Sequence, residues 1–294
     1  MGRTVASCLC CEGHNLDAQP AIWMPFVADR ALGLPPLTID SSWDLRTISE
    51  CTAYCLCKSL HCLDCGHLFV DYRFDNREMQ LLYEDYRGEA YTKLREVYEP
   101  GYAEHNGRLC AGAGYKAAVE EFLLPFLPGD SLSVLDWGGD TGVNTPFGAR
   151  QERLDIFDLS AKPLQHGSAV IHPDQVKGVS YDLVVLSQVL EHIPDPASTL
   201  NEILPCLSSS TVLYIEFPHE KLQRSWDEEG SLAARKRHWH EHINFFSPQS
   251  AHKLFSRCGL EMIGQCSLAL NHDLTPAADG ENVILMFALK NSRL

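Results

Sequence analysis

From Ser131 onward, short β-rich apolar runs alternate with helix-like stretches, and this alternation constrains the fold more than any other feature. The runs are 133–135, 154–157, 181–186 and 211–215, followed by 261–264 and 283–289. Helical stretches near 197–207 and 248–258 separate the later ones. Strands joined through helices pair in parallel, so a mostly parallel sheet covered on both faces is expected. The last two runs have no helix between them, which predicts an antiparallel final strand.

The 294 residues are 45% apolar, enough for a sizeable core. Lys plus Arg is 24 and Asp plus Glu is 39, a net charge of −15. That balance argues against a nucleic-acid backbone as the main partner, because such binding needs surplus cations. No stretch approaches the roughly 18 apolar residues of a membrane helix. The first eight residues carry one Arg and no apolar core, so they do not read as a signal peptide. A cytoplasmic chain is the expectation, and clustered cysteines there bind metal more often than they form disulfides.

Three zones follow from composition and periodicity. Residues 1–75 are cysteine-rich and read as a zinc-binding module. Residues 76–128 carry apolar positions at three- and four-residue steps and read as a helical linker or lid, interrupted at Pro100-Gly101. Residues 129–294 hold the alternating strands and helices.

Of 12 cysteines, 8 lie in the first 65 residues. Cys8 and Cys11 form one Cys-x-x-Cys pair, and Cys62 and Cys65, followed by Gly66, form another. Two such pairs supply four thiolates for a tetrahedral zinc ion, with a closed shell that suits a structural role. The 50-residue gap between the pairs is long, so they must meet across an insertion. Cys10, Cys51, Cys55 and Cys57 are further candidates for that site or for a second one, and otherwise are small buried thiols. The remaining four, Cys110, Cys206, Cys258 and Cys266, read as core thiols.

The most informative segment is Val134-Leu135-Asp136-Trp137-Gly138-Gly139-Asp140-Thr141-Gly142. A buried strand delivers Asp136 into a glycine-rich turn, where backbone and ligand can approach closely. A carboxylate there disfavours a phosphate and suits a cationic or hydroxyl-bearing ligand. Asp158 ends the next strand, 22 residues on, where a carboxylate can accept from ribose hydroxyls. A dehydrogenase would place a pyrophosphate in the turn, and Asp140 would repel it.

In these residues the chain resembles the class I S-adenosylmethionine-dependent methyltransferases. Gly138 and Gly142 match the outer glycines of that family's first motif, Gly139 lies between them, and Asp140 stands where a middle glycine is usual. The fourth strand runs into Ser187-Gln188-Val189-Leu190-Glu191-His192, again in the family's manner. The resemblance implies a Rossmann-like, seven-stranded, mostly parallel sheet. It places Asp136 near the methionine amino group, Asp158 on the ribose, and Ser187-Gln188 beside S-adenosylmethionine.

With the paired cysteines and Leu82-Tyr83-Glu84-Asp85-Tyr86, the chain is also similar to the methyltransferases that act on carbon in nucleotide-linked sugars. That resemblance implies a small-molecule acceptor and an active site containing Glu241-His242 and His192. His242 would be the general base, oriented by Glu241. The group's tyrosine two residues before the Glu is Trp239 here, which cannot shuttle a proton. The sequence leaves several alternatives open: an O- or N-methyltransferase of another metabolite, a cofactor-binding docking module, a metal held by His238, His240 and His242, and a diphosphate site at Arg235-Lys236-Arg237.

Overall fold

The computed structural model describes residues 3–44, 49–110, 112–129, 131–160, 162–170, 172–226 and 230–293. Strands β1 (Leu16–Trp23), β2 (Leu56–Cys62) and β3 (Leu68–Val70) lie in the N-terminal zone, with helix α1 (Pro25–Leu32) after β1. Helices α2 (Asn76–Tyr83), α3 (Glu89–Tyr98), α4 (Tyr102–Cys110) and α5 (Lys116–Leu123) follow. Next come β4 (Leu132–Trp137), β5 (Gln151–Phe157), β6 (Ser168–Val170), β7 (Leu183–Ser187), α6 (Pro196–Ile203) and β8 (Val212–Pro218). The chain ends with β9 (His238–Trp239), β10 (Asn244–Phe245), α7 (Pro248–Arg257), β11 (Leu260–Leu270) and β12 (Asn282–Asn291).

The seven-stranded sheet runs β6-β5-β4-β7-β8-β12-β11. Pairing is parallel from β6 to β8, and β12 is antiparallel to both β8 and β11. The expected Rossmann-like sheet with an antiparallel final strand is therefore present. Alternate residues feed two cores, as a pleated strand requires. Val134, Val185 and Tyr214 pack with Val119 and Leu123 of α5. Leu135, Val184 and Ile215 pack with Leu200 of α6 and Leu254 of α7 on the other face.

Two features depart from expectation. No α-helix follows β4; residues 138–147 turn and bend, then form a short 3₁₀ segment, Gly148–Arg150. Positive φ angles at Gly138, Asp140, Gly142 and Phe147 explain this, because a right-handed helix needs negative φ at each position. Strand β6 is also new, being too short and too weakly apolar to register as a run.

The N-terminal zone is richer in structure than its composition suggests. It builds a second sheet, ordered β9-β1-β2-β3-β10. Both edge strands come from residues 238–245, the segment in which active-site histidines were expected. Arg73 stitches the join: it is buried and donates to the carbonyls of Val70, Ile193, Pro194 and Ile243 and to Asn244 Oδ1. Among the described residues, no helix is long and apolar enough to cross a membrane.

Candidate active site

Strand order reverses between β4 and β7, where a sheet of this kind opens a crevice beyond its strand ends. A cavity of about 650 Å³ lies there, lined by Asp136, Ser187, Glu216, Glu220 and His242 among others. Asp136 is 3% exposed. Its Oδ2 accepts from Thr145 Oγ1 at 2.6 Å, while Oδ1 is buried without a partner. Burial pushes its carboxyl up to about 7. A Cβ on Gly139 would lie 2.6 Å from the Asp136 carboxyl carbon, so only glycine lets the turn approach this closely.

Asp158 is engaged differently from the simple ribose expectation. Its Oδ2 accepts from the Asp140 amide at 2.9 Å, and Oδ1 accepts from the amide and hydroxyl of Ser160. It thus braces the turn, and Oδ2, with a single donor, retains acceptor capacity. Asp140 takes the left-handed conformation a glycine would favour, and Lys162 pairs with its carboxylate at 2.8 Å. Ser187 and Gln188 both donate to Glu216 Oε1, at 2.6 and 3.3 Å. Tyr115 and Tyr214 also donate to the Glu216 carboxylate, which makes it the hub of the cavity floor.

The cofactor named by the family resemblance fits these residues. A buried, unpartnered carboxylate oxygen suits a ligand ammonium, and a turn with no room for Cβ atoms suits a ligand pressed against backbone.

At the other end of the cavity the histidines sit together. His192 and His242 rings meet edge-on, with centroids 4.7 Å apart. His192 Nδ1 lies 3.1 Å from the Glu241 carbonyl and 2.8 Å from the Tyr83 hydroxyl. Burial, with the nearby His242, pushes its pKa down to about 3. His242 Nδ1 lies 3.1 Å from Glu220 Oε1. A carboxylate only accepts, so Nδ1 carries a proton, and in the neutral ring Nε2 keeps its lone pair. Burial opposes a charge on His242, yet the Glu220 bond and the fields of Glu191 and Glu241 raise its pKa overall.

The expected pairing of Glu241 with His242 is corrected here. Glu241 accepts from Tyr91 Oη and from Arg95 Nη1 at 2.8 Å, and His240 Nδ1 lies 3.5 Å away. Burial alone would raise its pKa, but His240 and Arg95 hold it well below the carboxylate range. Replacing Glu241 by Ala leaves Arg95 and Tyr91 facing a void in a buried network. The expected loss in urea denaturation is about 3–5 kcal/mol; a loss under 1 kcal/mol would refute this structural role.

Other expectations are settled by placement. Trp239 is fully buried and donates to Ser59 Oγ at 2.8 Å, so it packs the second sheet. His238, His240 and His242 do not share a face, because β9 ends at Trp239 and their partners differ; among the described residues they form no ligand cluster. Arg235 and Arg237 are exposed, and the Lys236 ammonium lies over the Trp239 and Phe245 rings. These three do not line the cavity.

Cys8, Cys11, Cys62 and Cys65 do meet, with all four sulfurs within 4.8 Å of one another. The β1–β2 ladder explains how. Leu16 pairs with Cys62 at one end and Ile22 with Leu56 at the other, so the insertion leaves from the far end. Cys10 is buried beside them, its amide 3.4 Å from Cys8 Sγ. Cys51 is exposed and Cys55 and Cys57 are half-buried, outside this group. Cys206 and Cys258 are core thiols as expected, whereas Cys266 is exposed. The side chain of Cys110 lies outside the described residues.

Sequence reasoning missed Glu216 and Glu220. The available signal was two acids at the end of β8, where the strands open into the crevice. Tyr91 and Arg95 carried no signal beyond helical spacing.

A family model described as a methyltransferase domain matches residues 102–265, more than half of the chain. No curated protein matches. Among solved structures, an S-adenosylmethionine-dependent methyltransferase of Leishmania major is similar, at 14% identity and a TM-score of 0.42, covering 60% of this chain and 73% of that one. A glycopeptide N-methyltransferase complexed with S-adenosylmethionine gives 12% identity, a TM-score of 0.44 and coverage of 60% and 94%. The N-methyltransferase NodS of Bradyrhizobium japonicum, complexed with S-adenosyl-L-homocysteine, gives 13%, 0.38, and 59% and 84%.

Proposed function

We propose, from the premise that the chain belongs to this methyltransferase-domain family and is an S-adenosylmethionine-dependent methyltransferase, that it methylates a small, sugar-like acceptor with His242 as general base. The observation that carries the reading is one cavity with two ends. Asp136 presents a buried unpartnered oxygen at one end, and His242 presents a free Nε2 at the other. Asp136, Asp158 and the Gly138–Gly142 turn would hold the cofactor, which supplies an electrophilic sulfonium methyl. Glu220 orients His242, and His242 Nε2 takes the proton from an acceptor hydroxyl or from a carbon beside a carbonyl. His192, held neutral, walls the acceptor.

A second acceptor class, an amine, is favoured by one observation. The acceptor end is lined by the carboxylates of Glu191, Glu216 and Glu220, while Arg235, Lys236 and Arg237 do not line the cavity. Carboxylates there suit a neutral or cationic reacting group better than a phosphate.

Calorimetry with S-adenosylmethionine tests the reading; absence of binding would sink it. The Asp136 carboxyl adds a pH signature. Its pKa in the cofactor-free protein is about 7, so it holds a proton below that pH and must lose it to face an ammonium. Affinity should weaken about tenfold per pH unit below 7, with one proton released per cofactor bound. Asp136→Asn should flatten this dependence; a flat wild-type profile would refute the assignment.

We propose further that Cys8, Cys11, Cys62 and Cys65 hold a structural zinc ion. Four thiolates close a tetrahedral shell and leave no position for substrate. Metal analysis of the purified protein should find one zinc per chain.

A further inference from the structure

Glu191 takes no part in the proposed proton transfer, yet it is buried in the cavity wall without a partner. It is 2% exposed, and neither carboxylate oxygen has a hydrogen-bond partner. Burying such a group unpaired is costly, so something cationic is expected beside it. His192 Nε2 lies 3.8 Å from Glu191 Oε1, and Glu191, His192 and His242 each bring one ligand atom within 4.8 Å of the other two.

Both imidazoles are also oriented as metal ligands are. His242 Nδ1 faces the Glu220 carboxylate, which only accepts, so the neutral ring carries its proton on Nδ1 and its lone pair on Nε2. His192 Nδ1 faces the Glu241 carbonyl, which only accepts, and the Tyr83 hydroxyl, which accepts as well as donates, so the same tautomer satisfies both contacts. Metal-binding histidines typically donate their second N–H to a carboxylate or carbonyl in this way. The rings stand at 85° with centroids 4.7 Å apart, a separation compatible with two metal–nitrogen bonds of about 2.1 Å at a near-right angle. All three residues line the cavity, so an ion has a path in.

We propose that Glu191, His192 and His242 form a second metal site, separate from the cysteine cluster, for a dissociable divalent transition-metal ion. Two imidazoles and one carboxylate are the borderline donor set that such ions prefer, and three protein ligands leave coordination positions open. His242 Nε2 cannot hold an ion and take a proton at once. Occupancy therefore blocks the proposed base, and the ion acts as a reversible inhibitor of acceptor deprotonation. This consequence rests on the methyl-transfer reading; the binding itself does not.

The test uses Mn²⁺, which has little preference for thiolates, titrated into full-length protein carrying one equivalent of zinc and followed by the paramagnetic signal of free Mn²⁺. One saturable site per chain is expected. Glu191→Gln, which keeps shape, and His192→Gln should each weaken it at least tenfold. Glu220→Gln, which does not reach the ion, should weaken it about 10–100-fold through His242. S-adenosylmethionine calorimetry on the same samples reports that each variant is folded. No saturable Mn²⁺ site in the wild type would overturn the proposal, as would a site unchanged in both Glu191→Gln and His192→Gln. Failure to bind S-adenosylmethionine would overturn the methyl-transfer reading and leave the ion site standing.

Discussion

Replacing Cys65 by Ser should strip the zinc proposed for the cysteine cluster, collapse the five-stranded sheet and abolish methyl transfer. Structural zinc contributes about 10–16 kcal/mol of binding free energy to small cysteine-rich folds, more than most domains have to spare. Here the knuckle also holds the chain that follows His242. Ser247 Oγ donates to the Cys65 carbonyl at 2.9 Å, and Gln223 Nε2 donates to the carbonyls of Gly66 and Phe245. The His67 ring lies stacked against both Phe69 and Phe246. Gly66 has φ of +76°, and a Cβ there would press on Ser247 Oγ at 3.0 Å. The segment carrying His242 is therefore held between two sheet edges, and the one at β3–β10 lies beside the knuckle. Near-UV circular dichroism should lose the signal of buried Trp23 and Trp239, while cofactor affinity stays within several-fold, because Asp136 and Asp158 belong to the other sheet. A zinc-free variant with native tryptophan signal and full turnover would end the argument.

His242→Ala should lower turnover by about 10²–10⁴-fold, the usual range for removing a general base, with cofactor affinity unchanged. The informative comparison is between the two glutamates. Glu220 is partly exposed and holds His242 directly, so Glu220→Gln should depress turnover with little change in stability. Glu241 is buried in the Tyr91–Arg95–His240 network, so Glu241→Gln should do the reverse. Full turnover in His242→Ala would show that another group takes the proton. A stability loss in Glu220→Gln as large as in Glu241→Gln would remove the distinction drawn between them.

What the amino-acid sequence determined by itself was local or periodic. Apolar runs marked six of the seven large-sheet strands; β4, β7 and β8 are the clearest because they are buried on both faces. Asp136 with its glycines, and Asp158 one strand later, were legible because turn geometry and strand ends depend on neighbours in sequence. The cysteine pairs were legible as pairs. Tertiary structure alone decided which distant groups meet. The cysteine pairs join across 50 residues only because β1 and β2 form a ladder, and residues 238–245 complete a sheet begun more than 200 residues earlier. The partner of His242 was decided the same way. The chain bends at Glu241 between β9 and β10, so strand alternation does not govern these side chains. Glu241 turns to Arg95 on α3 while His242 turns to Glu220, which no adjacency in the sequence could indicate.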